Sequence, residues 1–403
     1  MSRYRLLPTP AQEAVLRSHC AHARYVWNLA VEQHAHWRPG RKSAPGHLEQ
    51  CRQLTEARAE HEWLTRGSQT VQQQALRDFA QAMAAFFDPG NPAGLPSWRK
   101  AGRHEGFRIV AVKPEHLRRH NRKAGAVWIP KVGWIRFRLS RAIPTGVKSY
   151  RVTRDRAGRW HVAFAVVPRP IPGPGTGEAV GVDRGVAASA ALSTGKLLRV
   201  PRLSPARQRR MRLLQRKLRR AVRGSNRRAH TRVQIARLYA RQSDLRKDWS
   251  EKTSTSLARE FDWIYVENLQ IKIMTRSAKG STQKPGKNVR QKSGLNREIL
   301  AAGWGRLVRR LEDKAPGRVQ RINPAYTSQR CSACGHIAAE SRKSQALFSC
   351  VACAYTENAD VNAARNIAAG HAVTARGGDG AARPVNREPQ FPHVAERLKS
   401  LPK

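Results

Sequence analysis

The chain of 403 residues carries 76 Lys and Arg against 28 Asp and Glu, a formal charge of +48. Such a chain repels itself until a polyanion neutralises it, and its basic residues are spread along the whole length, so the expected partner is extended: DNA, RNA or both. No apolar run approaches the roughly 20 residues that span a bilayer, and the opening MSRYRLLPTPAQE lacks the apolar core of a signal peptide, which predicts a soluble, cytoplasmic, nucleoid-associated protein. A basic ribosomal-type binder without activity would share this composition.

Along the chain, YRLLPTP reads as a short extended start. A helix from about Ala11 follows, with Val15, Leu16, Cys20, Ala23, Val26 and Leu29 at helical apolar spacing. A second helix is expected over CRQLTEARAEHEWL and a third over SQTVQQQALRDFAQAMAAFF, with Ser68 as its N-cap. After the turn-rich DPGNPAGLP, residues 110 to 170 alternate and contain Gly turns, the pattern of strands, with Val152, Trp160, Val162 and Phe164 on the apolar side. IPGPGTGE, residues 171–178, is a Pro/Gly linker and the best domain boundary.

The second half opens on the strand AVGVDRGVAASAALSTG, a Thr194-Gly195 turn and the return strand KLLRVP. A long basic helical region runs from Pro205 to about Glu260, broken near Gly224-Ser225, with Met211, Leu214, Leu218, Val233, Leu238 and Leu245 as apolar positions. FDWIYVENL is a short apolar strand. Residues 271–293, rich in Lys, Ser and Gly, are expected to be mobile. LNREILAAGWGRLVRRLEDKA reads as one helix and RVQRINP as a strand. The Gly/Pro/Arg-rich stretch from His371 reads as a disordered tail.

Six cysteines are present. Cys20 and Cys51 stand alone in helical segments and read as buried small apolar residues. Cys331 and Cys334 form one CxxC pair, Cys350 and Cys353 another. Two such turns build a closed tetrahedral thiolate site, which suits structural zinc and leaves no open position for catalysis. His336 reads as a surface neighbour, not a fifth ligand.

Three acids stand at the ends of the clearest apolar elements of an acid-poor chain. Asp183 lies in AVGVDRGV, Glu267 ends WIYVE, and Asp360 opens the helix after the knuckle. Each has a plainer reading: a turn residue, a strand-end charge, and an N-cap. Taken together they suit phosphodiester hydrolysis with two hard cations, Mg²⁺ or Mn²⁺, held by carboxylates converging from separate elements.

These residues carry a resemblance. GVDRG at 181–185, YVENL at 265–269, LNREILAAGWGRL at 295–307, NPAYTSQRCSACG at 323–335 and DVNAARNI at 360–367 resemble the TnpB family, the RNA-guided RuvC-like nucleases of insertion sequences, related to type V CRISPR effectors and long described as transposases. YRLLPTPAQE, HARYVWNLAVE, SQTVQQQALRDF and SWRKAGRHEGFR match in style, so the resemblance spans about residues 1 to 370.

The resemblance implies an α+β multidomain protein. A β-barrel wedge domain (residues 1–10 and 91–172) would hold a helical recognition insert (11–90). An RNase H-like (RuvC) α/β core (178–330) with a basic helical insert would follow, then a four-cysteine zinc ribbon (331–356), a final RuvC segment (357–370) and the tail (371–403). It implies Asp183, Glu267 and Asp360 as the catalytic Mg²⁺ ligands. It further implies a structured guide RNA from the element's end, a short target-adjacent motif read by protein, and cleavage of double-stranded target DNA at one RuvC site; the sequence leaves the oligomeric state open, with one chain per RNA favoured. A compact CRISPR effector, a nuclease-inactive RNA-guided repressor and a strand-joining transposase are the competing readings.

For nucleic-acid contact, Arg207, Arg209, Arg210, Arg212, Arg216, Arg219 and Arg220 suit phosphates, or form a solvated helix face. Trp98, Arg99 and Lys100 suit stacking and phosphate binding, unless Trp98 is core. Gln69, Gln72, Gln73 and Gln74 include candidate readers of adenine edges, or form a polar helix face. Tyr326, Ser328 and Gln329 border the knuckle and suit positioning of a DNA strand, unless Tyr326 is core.

Overall fold

Thr9 starts the first helix with a reciprocal cap: its hydroxyl accepts from Gln12 N, and the Gln12 side chain accepts from Thr9 N. Such a cap contributes about 1 kcal/mol. The computed structural model describes residues 2–36, 44–103 and 105–375. The tail expected from His371 lies outside them except for 371–375, which continue the last helix.

The chain forms two compact units. The first comprises Met1–Glu178, Leu198–Asp262 and Ile271–Val319. It begins with β1 (Ser2–Leu6), α1 (Pro10–Ala35), α2 (His47–Glu60), α3 (Glu62–Arg66) and α4 (Gln69–Phe87). The single helix expected over Cys51–Leu64 is two, because His61 adopts an extended conformation between them. Ser68 takes the N-cap position of α4, but its side chain makes no capping hydrogen bond. On α1, Leu16, Cys20, Ala23 and Val26 are buried as the spacing predicts, whereas Leu29 is exposed and Trp27, Ala30 and Val31 complete the face.

Strands β2 (Gly106–Val110), β3 (Leu117–Arg119), β4 (Ala124–Ile129), β5 (Gly133–Arg138), β6 (Ser149–Arg154) and β7 (Trp160–Ala165) join β1 in a seven-stranded sheet of order β2-β6-β7-β1-β5-β4-β3. Every pairing given for this sheet is antiparallel. Val152, Trp160, Val162 and Phe164 are buried as the alternation predicts. They share one apolar core with α1, α2 and α4, so the helical segment packs onto the sheet.

The basic region forms α5 (Pro205–Arg220) and α6 (Asn226–Glu260), separated at Gly224, whose φ is +85°, with Ser225 capping α6. Their shared core holds Met211, Leu214 and Ile235, with Leu218, Leu238 and Leu245 against it; Val233 faces outward. Three more helices complete the unit: α7 (Ile271–Met274), α8 (Val289–Ala302) and α9 (Trp304–Lys314). The one helix expected over 295–315 is broken at Gly303, which has φ +73°. In the stretch expected to be mobile, Lys292 donates to Met274 O at 2.7 Å, and Asn296, just beyond it, donates to Thr275 O at 3.0 Å.

The second unit comprises Ala179–Leu197, Trp263–Gln270 and Gln320–Lys403. Its sheet has the order β10-β9-β8-β11-β12. The strands are β8 (Ala179–Asp183), β9 (Ala190–Leu192), β10 (Leu197–Leu198), β11 (Trp263–Glu267) and β12 (Val319–Ile322). The single strand expected through AVGVDRGVAASAAL is thus two, paired antiparallel with Val182 opposite Leu192. β13 (Leu347–Ser349) and β14 (Thr356–Asn358) form a hairpin, and α10 (Ala359–Ala375) packs on β8, β9 and β11. The basic helices α5 and α6, read from the sequence as an insert of the nuclease core, group with the first unit.

Candidate active site and metal knuckle

β8 and β11 are adjacent and parallel, with Gly181 opposite Tyr265 and Val182 opposite Val266. Continuing that register sets Asp183 beside Glu267 at the carboxyl ends of both strands. Side chains alternate along a strand, so Asp183 shares the face of Gly181. That face lies against α10: a Cβ on Gly181 would stand 2.0 Å from Ala364 O and 2.6 Å from Ala368 N. Only glycine permits this approach. The helix that lies so close carries Asp360 in its first turn.

Asp360 is not the cap of that helix. Asn358 Oδ1 accepts from the N–H groups of Asp360 at 3.0 Å and Val361 at 3.2 Å. The Asp360 carboxylate is left to face Arg342 at 3.6 Å and, across the turn, Gly185. Glu267 is 8% exposed and accepts from the Thr327 hydroxyl at 2.7 Å. Arg184, also buried, donates to the backbone carbonyl of Glu267.

Asp183 senses the other two acids. Burial, with the charges of Glu267 and Asp360, pushes the Asp183 carboxyl up to about 7. Burial raises Glu267, with Thr327 and Arg184 acting against it, and burial raises Asp360, with Arg342 acting against it. Desolvation and like charge both disfavour the ionised form. Carboxylate oxygens are the hard donors that Mg²⁺ and Mn²⁺ take, but among the described residues the four cysteines are the only such group whose ligand atoms all lie within 4.8 Å of one another, and the three acids are not drawn together that closely.

The four cysteines are free thiols whose sulfurs all lie within 4.8 Å of one another. Cys331 Sγ is 3.7 Å from Cys353 Sγ, and Cys334 Sγ is 3.6 Å from Cys350 Sγ. Four sulfurs about 2.3 Å from one ion stand about 3.8 Å apart along a tetrahedral edge. The knuckle therefore has the dimensions of a zinc site. His336 is exposed, as expected.

The other expected contacts divide. The seven arginines of α5, from Arg207 to Arg220, are all exposed. Trp98 is exposed and not core. Arg99 is not a free phosphate ligand: its guanidinium lies 3.6 Å over the Trp27 ring, and burial lowers its pKa to about 10. Lys100 is exposed. Gln72 cannot read a base, because it is fully buried and its amide is committed to Leu64 O, His22 and Arg58. Gln74 is also buried, while Gln69 is exposed and Gln73 half-buried. Tyr326 is 62% exposed with φ +62°, so it is not core; Ser328 and Gln329 are half-buried.

Sequence reasoning missed Arg184, Thr327, Arg342 and Asn366. Asn362 and Asn366 stand four apart on an Ala-rich helix, one face of it, and that spacing was the available signal. The others gain their roles from partners distant in sequence.

Three stretches match family profiles: residues 2–42 "Helix-turn-helix domain", 161–278 "Probable transposase" of the OrfB/IS605 type, and 304–367 "Cas12f1-like, TNB domain". The described part of the first is a strand and one long helix, β1 and α1. Among relatives, "Putative RNA-guided DNA endonuclease InsQ" of Escherichia coli (strain K12) is 36% identical over 400 residues, covering 96% of each chain. "Putative RNA-guided DNA endonuclease" of Streptomyces pristinaespiralis is 30% identical over 390 residues, covering 94% of this chain and 90% of that protein. The cryo-EM structure of a Cas12f1–sgRNA–target DNA complex shares the fold, with a TM-score of 0.55 at 15% identity, covering 89% of this chain and 83% of that one.

Proposed function

The chain belongs to the TnpB family, and on that footing we propose that it is an RNA-guided DNA endonuclease whose single cutting site is Asp183, Glu267 and Asp360. What supports this reading is the parallel pairing of β8 and β11, each ending in an acid, the close seat of α10 on Gly181, and the action of the charges of Glu267 and Asp360 on Asp183. The sheet order β10-β9-β8-β11-β12, antiparallel between β9 and β8 and parallel between β8 and β11, supports an RNase H-like (RuvC) core. The cysteine knuckle and its β13–β14 hairpin would be a zinc ribbon inserted between the last core strand and the last core helix. The seven-stranded sheet would be the wedge barrel, and α1–α4 its recognition insert.

Asp183, Glu267 and Asp360 would hold Mg²⁺. Bound there, divalent ions would activate a water and stabilise the leaving oxygen of a phosphodiester. The chain's own residues do the rest. β8 and β11 set two carboxylates side by side, the close packing at Gly181 brings the third, and Arg342 offers positive charge at the edge of the site for a phosphate. Sequence recognition is delegated to pairing between a guide RNA and the target strand, so the protein needs chiefly phosphate contacts. The exposed arginines of α5 supply them. A cavity of about 1100 Å³ in the first unit, lined by Arg3, Arg103, Arg156, Arg232 and Lys247 together with Asp155 and Asp244, would add to them. One chain per RNA is the proposed assembly.

The test starts from protein expressed with its native flanking DNA and the RNA that copurifies. A discrete RNA from the element's end is expected; repeat-derived RNA would place the chain with CRISPR effectors, and no enriched RNA would refute guided recognition. With that RNA, Asp183→Ala is expected to abolish DNA cleavage, because it removes a proposed ligand of the ions that would activate the water, while guided target binding persists. Retained cutting would refute the site.

A further inference from the structure

Glu267 is held by a residue outside the three-acid set. The Thr327 hydroxyl donates to Glu267 Oε1 at 2.7 Å, and both side chains are buried. That bond engages one of the two carboxylate oxygens and restrains how the carboxylate turns. The hydroxyl has another acceptor, Pro324 O, at the longer distance of 3.1 Å, so its polar group would be satisfied without Glu267.

Thr327 does not move alone. Its carbonyl accepts from Asn366 Nδ2 at 3.0 Å, and the same amide donates to Arg330 O at 2.7 Å. One turn earlier, Asn362 Nδ2 donates to Arg330 O at 2.8 Å, and Asn362 Oδ1 accepts from Ser332 N at 2.9 Å. Ser332 sits between the knuckle cysteines Cys331 and Cys334. Asn362 and Asn366 belong to α10, whose first turn bears Asp360. Tyr326, immediately before Thr327, holds φ +62°, a conformation uncommon for a residue other than glycine and one its surroundings must enforce. A continuous hydrogen-bonded path therefore runs from the knuckle through α10 to Thr327 and ends on Glu267.

From this path we infer that Thr327 is a positioning residue for Glu267, and that the segment entering the knuckle sets the second acid as well as the third. The inference rests on the reading of Glu267 as a metal ligand. Hydrogen-bond partners behind metal ligands orient them, and their loss commonly lowers metal affinity or activity about 10–100-fold.

The experiment compares wild type, Thr327→Val and Thr327→Ser, each purified with its copurifying RNA. Four quantities are measured: single-turnover cleavage against Mg²⁺ concentration, target binding without divalent ions, Mn²⁺ binding by electron paramagnetic resonance, and Tm with zinc content. Valine keeps the shape of threonine and removes the donor. Thr327→Val is expected to cut about 10–100-fold more slowly and to bind Mn²⁺ correspondingly more weakly. Its target binding, zinc content and Tm should stay close to wild type, and Thr327→Ser should restore cutting and Mn²⁺ affinity. A Thr327→Val protein that cuts and binds Mn²⁺ like wild type overturns the inference. So do two variants that lose activity only in step with a lowered Tm, since Thr327 would then merely hold the fold. If wild type itself fails to cut, the proposed activity falls, and the Mn²⁺ comparison still decides whether Thr327 orients Glu267.

Discussion

Asn358 accepts from the first free N–H groups of α10, so Asp360 is spared that task, and its charge, with that of Glu267, acts on Asp183. A second acid network, outside the site, is held in the opposite sense. Burial acts to raise Asp155, but hydrogen bonds from His161 and from the backbone and side chain of Arg159 outweigh it and hold the carboxyl below the ordinary range. Arg159 continues to Asp244 on α6 at 2.7 Å. A depressed carboxylate pKa contributes stability that is fully present above the unfolded value near 3.9 and is lost as pH falls through the folded one. Asp155→Asn is therefore expected to lower stability by about 1–3 kcal/mol at pH 7. The gap from wild type should begin to narrow below about pH 4, where the unfolded-state carboxyl titrates, and narrow further as pH falls toward the folded value. Denaturant titrations at pH 7, 4 and 3 check this; a gap that stays constant would show that the carboxylate's charge is not what the network uses.

The element that decides the site is α10, and its seat is Gly181. Period-two alternation puts Gly181 and Asp183 on one face of β8, so the residue that admits the helix and the residue that uses it are linked. Gly181→Ala would drive a methyl into Ala364 O and Ala368 N, backbone atoms that cannot step aside. Overpacking of this kind costs roughly 1–3 kcal/mol. The expected result is a lower Tm and cleavage reduced more than tenfold, because the helix shift displaces Asp360. An unchanged Tm would refute the close seat of α10 on Gly181. Breaks between elements follow local chemistry that spacing does not reveal: α8 and α9 separate at Gly303 in the left-handed region, and α2 and α3 at His61 in extended conformation.

For the molecule as a whole, the charge of +48 makes association with nucleic acid a matter of salt. A protein that makes 6–10 phosphate contacts loses about 10³–10⁵ in affinity between 50 and 200 mM salt. Guide-RNA binding is expected to fall steeply over that range. Replacing Arg209, Arg212 and Arg216, all exposed on α5, by Gln should reduce the slope of log affinity against log salt by up to about three. Filter binding at four salt concentrations measures the slope; an unaltered value would mean that this face of α5 is solvated and touches no phosphate.

By itself the sequence determined the elements whose physics is local. CxxC spacing announced the knuckle, since two short turns suffice to gather four sulfurs. Alternation announced the strands from Ser149 to Ala165, and apolar runs ending in acids announced β8 and β11 with Asp183 and Glu267. What only the tertiary structure decided depends on partners far apart in the chain. Gln72 looks like any polar helix residue until Leu64, His22 and Arg58 consume its amide. Arg99 looks like a phosphate ligand until it lies over Trp27. Thr327 is an ordinary threonine until β11 brings Glu267, 60 residues away in sequence, within hydrogen-bonding distance. Spacing along a chain carries periodicity, which elements obey; it carries no record of which buried donor meets which acceptor, because that is settled by packing.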